Sequence, residues 1–309
     1  MILVVGATGL LGGEICRLLR ERGHPVRALV REGSPREGAL RALGAEIVHG
    51  DLKDPPSLDR ACAGVQCVAT TANSILSRRP GDTLRRVDLD GQTALVAAAR
   101  EASVDRFVYT SVSPGPSRAL FVRYKREVER AVRGSGMKWT ILQPAAFMEI
   151  AFSKIAGWDI AGGRATIVGA GDARVSYISV VDVARFAVRA LEGVEFTDRD
   201  LPLGGPEAVS SLEAVRAFEN AAGRRFTIRR VPAGVLGVIG RLLTPFDPIK
   251  ASLMTMVAAT AVRGDAIDMK PLLDSDAASH QLIPLREYAE SALGKRSRDG
   301  AHVRSFPDR

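Results

Sequence analysis

The chain has 309 residues and a formal charge of +8, with 46% hydrophobic, 25% charged and 5% aromatic side chains. That balance is globular and excludes a wholly disordered chain, and the length suits one large α/β unit or a domain with a smaller attached lobe. The last fifteen residues supply +3 of the charge through five Lys/Arg and two Asp, and without a dense basic run interleaved with aromatics nucleic-acid binding is not expected.

In chain order, ILVV (2–5) is a short apolar run of the kind a buried strand makes. Leu11, Ile15, Leu18 and Leu19 then recur at helical spacing, and Gly23 is the stop signal. VRALV (26–30), EIVH (46–49), VQCVATT (65–71), RFVYT (106–110) and WTIL (139–142) are strands two to six. Helical stretches separate them, the longest being 82–102 and 118–136. This alternation predicts a parallel sheet covered by helices on both faces, and right-handed crossovers make it doubly wound.

Beyond residue 150 the pattern loosens. Residues 164–193 give a strand, a glycine-rich turn, a short strand and a helix with Asp182 as its expected N-cap. Residues 201–232 give strand, turn, helix and strand, with Ser210 or Ser211 capping the helix and Gly223 stopping it. Residues 233–262 read as two apolar helices split by Pro245 and Pro248. No internal repeat is visible.

The opening strand runs straight into Gly6, Gly9 and Gly12, and a helix and a second strand follow within about thirty residues, the context a dinucleotide fingerprint requires. The first glycine allows a sharp turn, the second lets backbone approach a pyrophosphate, and the third lets helix and strand pack closely. The free amides of the helix start, at Leu10 and Leu11, then face the phosphates, and Thr8 adds a hydroxyl. The spacing is Gly-x-x-Gly-x-x-Gly, so it is the strand–turn–helix setting that gives the motif its weight. The second strand ends in Arg31, nineteen residues after Gly12. A guanidinium there suits the 2′-phosphate of NADP and favours NADP(H) over NAD(H), although Glu32 stands beside it. Ligands of such sheets lie beyond the carboxyl ends of the strands. That places Asp51 and Leu52 toward the adenine, and Thr70, Thr71 and Ala72 toward the adenosine ribose. An Asp shortly before Pro55 and Pro56 is equally a turn residue.

Cys16, Cys62 and Cys67 are odd in number and unpaired in spacing, which argues against disulfides and a zinc site. Cys16 and Cys67 lie in apolar segments and are expected in the core. His24, His49, His280 and His302 lack ligand spacing, so no metal site is expected. Met1 leads directly into a strand, leaving no room for a signal peptide. No apolar run approaches the ~18 residues of a membrane span. The expected location is the cytoplasm.

Taken in order, VVGATGLLGGEICRLLRERGHPVRALVRE, HGDLKD, RFVYTSVS, YKREVERAVRGSGMKWTILQPAAFME and ISVVDVARFAVRAL resemble the atypical short-chain dehydrogenase/reductase superfamily. The resemblance is to its NmrA-like, isoflavone-reductase-like NAD(P)-binding branch, and runs from residue 1 to about 290. It implies an α/β fold: a Rossmann-like doubly wound parallel sheet with a smaller α/β C-terminal substrate lobe. We expect the NAD(P)-binding domain at 1–150, with its sheet completed by parts of 164–205, the substrate-facing lobe at 151–294, and a basic tail at 295–309.

Relatives that use a Tyr-x-x-x-Lys pair keep the tyrosine as general acid/base, while the lysine holds the nicotinamide ribose. Here the segment is FVRYK, so Phe121 stands in the tyrosine position and Lys125 remains. Tyr124 is no substitute, because neighbours on a helix point about 100° apart. By resemblance, Lys125 holds the cofactor ribose and is the candidate acid/base. Ser111, after the fifth strand, is the candidate hydrogen-bond donor to a substrate carbonyl, with Ser113 two residues on. Pro144 and Phe147, after the sixth strand, line the nicotinamide and substrate cleft. The resemblance implies an NADPH-dependent reductase acting on a small carbonyl, enone or quinone. The alternatives are a non-catalytic NADP(H) sensor with a protein partner, or an assembly factor that keeps the cofactor as a stabilising ligand.

Overall fold

The computed structural model describes residues 1–77, 79–115, 117–274 and 281–294. The basic tail at 295–309, with His302, and His280 lie outside the described residues.

The first half alternates β1 (Ile2–Val5), α1 (Leu10–Glu21), β2 (Val26–Val30), α2 (Glu37–Ala42), β3 (Glu46–His49), α3 (Pro55–Cys62) and β4 (Cys67–Thr70). A π-helix (Leu84–Gly91) leads into α4 (Gln92–Glu101), followed by β5 (Arg106–Thr110), α5 (Leu120–Arg133) and β6 (Lys138–Pro144). The second half runs α6 (Met148–Ala151), β7 (Arg164–Val168), β8 (Arg174–Val175), α7 (Val180–Glu192), β9 (Arg199–Leu203), β10 (Val209–Ser210), α8 (Ser211–Ala222) and β11 (Thr227–Val231). It closes with α9 (Ala233–Leu243), α10 (Pro248–Arg263), α11 (Lys270–Asp274) and α12 (Leu285–Ala292).

Seven strands form one parallel sheet in the order β3-β2-β1-β4-β5-β6-β9. The period of two along β1 divides the core. Ile2 and Val4 point to one face, where they meet Ile15 and Leu19 of α1 and Val183 and Phe186 of α7. Leu3 and Val5 point to the other, against Leu58 of α3, Leu95 of α4 and Val128 of α5. A third cluster, with Phe152, Trp158, Phe218 and Tyr288, fills the second half around the parallel β7–β11 pair and α8. The chain direction reverses its path at β1, where β2 lies on one side and β4 on the other. A crevice at the carboxyl ends of the strands opens at such a switch point.

Two local expectations change. The N-cap of α7 is Ser179, whose hydroxyl accepts from the Val181 amide. Asp182 sits inside the first turn, fully buried, and accepts from the Ile283 amide at 2.9 Å. A serine three residues before an acid is the usual order of a capping pair, and it outranks the acid itself as the cap. The stretch 82–102 is two helices rather than one. Gly91 brings the π-helix so close to the loop after β3 that a Cβ there would lie 2.8 Å from Leu52 Cβ. Of the two serines offered for α8, Ser210 is the cap and forms a reciprocal box with Glu213. Cys16, Cys62 and Cys67 are free and buried.

Candidate functional site

The turn after β1 is shaped by what its glycines lack. Gly6 has φ +87°, and a Cβ on it would meet Ala72 N and Thr71 Oγ1 at 2.7 Å. Gly12 lies on α1 against the same turn, where a Cβ would fall 2.2 Å from Gly6 O. Gly9 differs: a Cβ there would press on Gly6 O alone, at 3.1 Å, and meet no side chain within 4 Å. Gly9 also caps α1 with no side-chain hydrogen bond. The first amides of a helix have no partner within the helix, so those of Leu10 and Leu11 are available to an anion.

Beside this cradle runs the end of β4. Thr71 Oγ1 donates to Val5 O and Gly6 O at 3.4 Å, which ties Thr71 and Ala72 to the glycine turn. Thr70 is buried and turned inward: its hydroxyl donates to Gln92 Oε1 at 3.1 Å, and Gln92 Nε2 donates to Ala72 O at 2.8 Å. Gln92 was not anticipated. It opens α4, and an apolar pattern gives no sign that one polar residue faces inward.

The ends of β2 and β3 gather charge. Arg31 Nη1 donates to Asp82 Oδ2 at 2.7 Å. Asp82 is buried and also accepts from Lys53 and Ser77. Burial acts to raise its pKa, but the bonds from Lys53, Ser77 and Arg31 outweigh that and hold the carboxyl below its ordinary range. Asp51 accepts from the Lys53 amide and from Lys53 Nζ, each at 2.9 Å, and Leu52 is buried against Gly91. Arg36 reaches across to the glycine turn, where Nη1 donates to Thr8 O at 2.8 Å. Lys53, Asp82 and Arg36 were not singled out from sequence.

Beyond β5 lies the buried lysine. Lys125 is 2% exposed, and its Nζ donates to Thr110 O at 3.0 Å. The same nitrogen lies 4.9 Å from the Tyr109 ring centre and 5.4 Å from that of Phe121. Phe121, one turn earlier on α5, faces it because residues four apart share a helix face. Burial pulls the Lys125 pKa down from 10.5 to about 8, against the opposing pull of the Asp88 and Glu129 carboxylates. Asp88, on the π-helix, is itself fully buried and accepts from the amide and hydroxyl of Ser74. Tyr109 Oη is the one buried side-chain polar atom without a partner among the described residues.

Ser111 is buried, and its hydroxyl donates to Glu129 Oε1 at 2.6 Å. Glu129 also accepts from Gln143 at 3.1 Å and from Arg126. Ser113 is the less buried of the two serines and donates to Asp265 Oδ2 at 2.6 Å. Pro144 ends β6 in the interior, and half-buried Phe147 caps α6. The structure thus brings Gly6, Gly9, Gly12, Thr71 and Ala72 into one cradle. It sets Arg31 and Asp51 in a charged cluster at the ends of β2 and β3, and Lys125 in an interior site at the end of β5.

A seven-stranded parallel sheet with a glycine cradle at its switch point defines a Rossmann-like nucleotide-binding fold. The chain belongs to the NmrA-like family, which it matches over residues 1–289. It is 34% identical over 226 residues to an NAD(P)H azoreductase of Xenophilus azovorans, covering 72% of this chain and 74% of that one. It is 32% identical over 240 residues to the photosystem II assembly factor Ycf39 of Cyanophora paradoxa, covering 76% and 73%. Among solved structures, the NADPH complex of the quinone oxidoreductase QOR2 of Escherichia coli shares the fold, with a TM-score of 0.76 at 21% identity over 95% of this chain and 100% of that one.

Proposed function

We propose that this chain is an NADPH-dependent reductase that transfers a hydride to a small carbonyl, enone or quinone, without a catalytic tyrosine. One observation carries the reading: a cradle free of side chains at Gly6, Gly9 and Gly12 lies with a buried lysine at the carboxyl ends of the sheet's strands, while phenylalanine fills the position where relatives have tyrosine. The cradle fits a dinucleotide, because a Cβ at Gly6 or Gly12 would collide with backbone while one at Gly9 would meet no side chain within 4 Å. Bound NADPH would supply the hydride.

The remaining tasks fall to the chain. The amides of Leu10 and Leu11, with the Thr8 hydroxyl, bind the pyrophosphate. Thr71 and Ala72 border the adenosine ribose, and Asp51 and Leu52 the adenine. Arg31 and Arg36 supply cations for a 2′-phosphate, which favours NADP(H) over NAD(H). Lys125 holds the nicotinamide ribose and presents a proton at Nζ, and a pKa near 8 keeps that proton exchangeable at neutral pH. Ser111 acts through Glu129, whose charge faces Lys125. Pro144 and Phe147 exclude water from the nicotinamide side. A quinone draws little on a protein acid, so it tolerates Phe121 better than an aldehyde does. The cytoplasm is the compartment this reading assigns.

The similarity to the NAD(P)H azoreductase supports catalysis. The similarity to an assembly factor supports a second reading, a non-catalytic NADP(H)-binding protein that acts through a protein partner. NADPH oxidation against a panel of quinones, enones, aldehydes and azo dyes separates them. Sustained turnover of any acceptor establishes the reductase; tight NADPH binding with no turnover across the panel leaves the second reading.

A further inference from the structure

Helix α9 is packed inside out. Two of its glycines face α10: a Cβ on Gly237 would touch Ala258 Cβ at 3.7 Å, and one on Gly240 would meet Thr255 Oγ1 at 3.0 Å and Ala251 O at 3.2 Å. Leu236 and Leu243 are half-buried, and its other large residues face away. Val235, Val238, Ile239 and Leu242 are 52%, 55%, 41% and 69% exposed, and Phe246, in the turn to α10, is 85% exposed. Positions three and four apart share a helix face, so the four helical residues form one stripe that Phe246 extends. A contiguous apolar surface of this kind marks an interaction site.

The charge around it is equally lopsided. Residues 224–263 hold seven Arg or Lys and a single Asp, a net +6 within a chain of +8. The positive charge is therefore not spread along the chain but gathered here and in the tail. Arg229 and Arg230, on exposed β11, lead into α9; Arg241 is exposed on it; Lys250 and Arg263 stand near the two ends of α10.

We propose that the α9–α10 hairpin lies on an anionic membrane surface, with the Val235–Phe246 stripe in the boundary between headgroups and acyl chains and the surrounding cations on lipid phosphates. Three features select this occupant. The stripe carries no hydrogen-bonding side chain, and a fluid hydrocarbon phase requires none. Small residues turned toward a neighbouring helix, with large aliphatics turned out, is the arrangement helices adopt in lipid. A second copy docked through a two-fold axis would set the same cationic segment against itself, whereas anionic lipid complements it. Among the described residues no helix is long and apolar enough to cross a membrane, so the hairpin rests on the surface.

Vesicle flotation tests this. One set of vesicles is phosphatidylcholine alone, and the other carries phosphatidylglycerol at about one lipid in three to set the negative surface potential. The full chain is expected to float with the anionic vesicles at low salt, to be released by high salt, and to ignore the neutral ones. Leu242→Ser with Phe246→Ser removes two exposed apolar side chains and is expected to weaken partitioning at least about tenfold, with NADPH affinity unchanged as a check on folding. Arg229→Glu with Arg230→Glu is expected to abolish the preference for anionic lipid. A wild-type chain that stays with the soluble fraction in both sets overturns the proposal, as does undiminished flotation of the Leu242→Ser, Phe246→Ser variant. A dimer in sedimentation velocity that this variant dissolves reassigns the face to a second copy. An acidic protein bound through the same residues, without vesicle binding, reassigns it to that partner.

Discussion

Lys125 is where burial, charge and chemistry meet, and its titration is measurable in the folding equilibrium. Its pKa falls from an ordinary 10.5 to about 8, first because burial penalises the ammonium, with Asp88 and Glu129 opposing that fall. A folded-state pKa below the unfolded one means that unfolding takes up a proton between the two values. Stability therefore rises as pH climbs from about 8 toward 10.5. Below pH 8 the lysine is charged in both states and this contribution is flat. At about 1.4 kcal/mol per pKa unit, the interval corresponds to about 3 kcal/mol. Lys125→Met removes the titrating group and should remove this rise. The assay is urea unfolding of both proteins at intervals from pH 7 to 10.5, so that every other titrating group cancels in the difference. The wild type should gain about 3 kcal/mol on the variant across the range. Two parallel stability curves would refute the reasoning, because they would show a lysine that titrates as a solvated amine. The same variant should bind NADPH roughly ten- to a hundredfold more weakly, the loss of one or two charged hydrogen bonds to the ribose. Turnover should fall about 10²–10⁴-fold for acceptors that need a proton in the transition state, and much less for quinones.

Gly12→Ala should destabilise the fold by about 1–3 kcal/mol, as overpacking does, and weaken NADPH binding, because the new carbon falls 2.2 Å from Gly6 O. Gly9→Ala should cost less in melting temperature than Gly12→Ala, since its new carbon presses on Gly6 O at 3.1 Å rather than 2.2 Å, yet still lower NADPH affinity; calorimetry that finds undiminished affinity would move the cofactor away from this turn. Arg31→Ser and Arg36→Ser should each weaken NADPH binding about tenfold or more while leaving NADH binding nearly unchanged, and an unaltered ratio of the two Kd values would remove that arginine from 2′-phosphate recognition. Phe121→Tyr places a hydroxyl four residues before Lys125 and should introduce NADP-dependent alcohol oxidation; a folded variant without it would show that the cleft no longer fits the tyrosine mechanism.

The central strands were legible because burial on both faces leaves a continuous apolar run. ILVV, VRALV and RFVYT fall within a residue of the observed strands. The edge strand β9, RDLPL, left a fainter trace: only Leu201 and Leu203 are buried, and Pro202 is tolerated where no further strand pairs. The π-helix left none. Its last residue, Gly91, packs against Leu52, a contact between residues 39 positions apart in sequence, and no local pattern encodes such a contact.

The site divides along the same line. Gly6, Gly9, Gly12 and Lys125 stand out in the sequence by motif spacing within one strand–turn–helix unit or on one helix, and in the structure the glycines shape one turn and the lysine is buried. Gln92, Asp88, Lys53 and Asp82 are polar residues distinguished by side-chain bonds to residues distant in sequence, Thr70, Ser74 and one another, and nothing in their neighbours announces it. Arg31 belongs to both groups. Alone at the end of β2 it is a phosphate reader. In the folded chain it shares Asp82 with Lys53, and Lys53 also holds Asp51, so the four charges sum to zero. A 2′-phosphate arriving there competes with a buried carboxylate already bonded to both cations. Arg36 forms no ion pair with a carboxylate among the described residues and already touches the glycine turn through Thr8. If the two arginines divide the work, Arg36 carries more of the attraction for the phosphate, and Arg31 sets how far Asp82 opposes it.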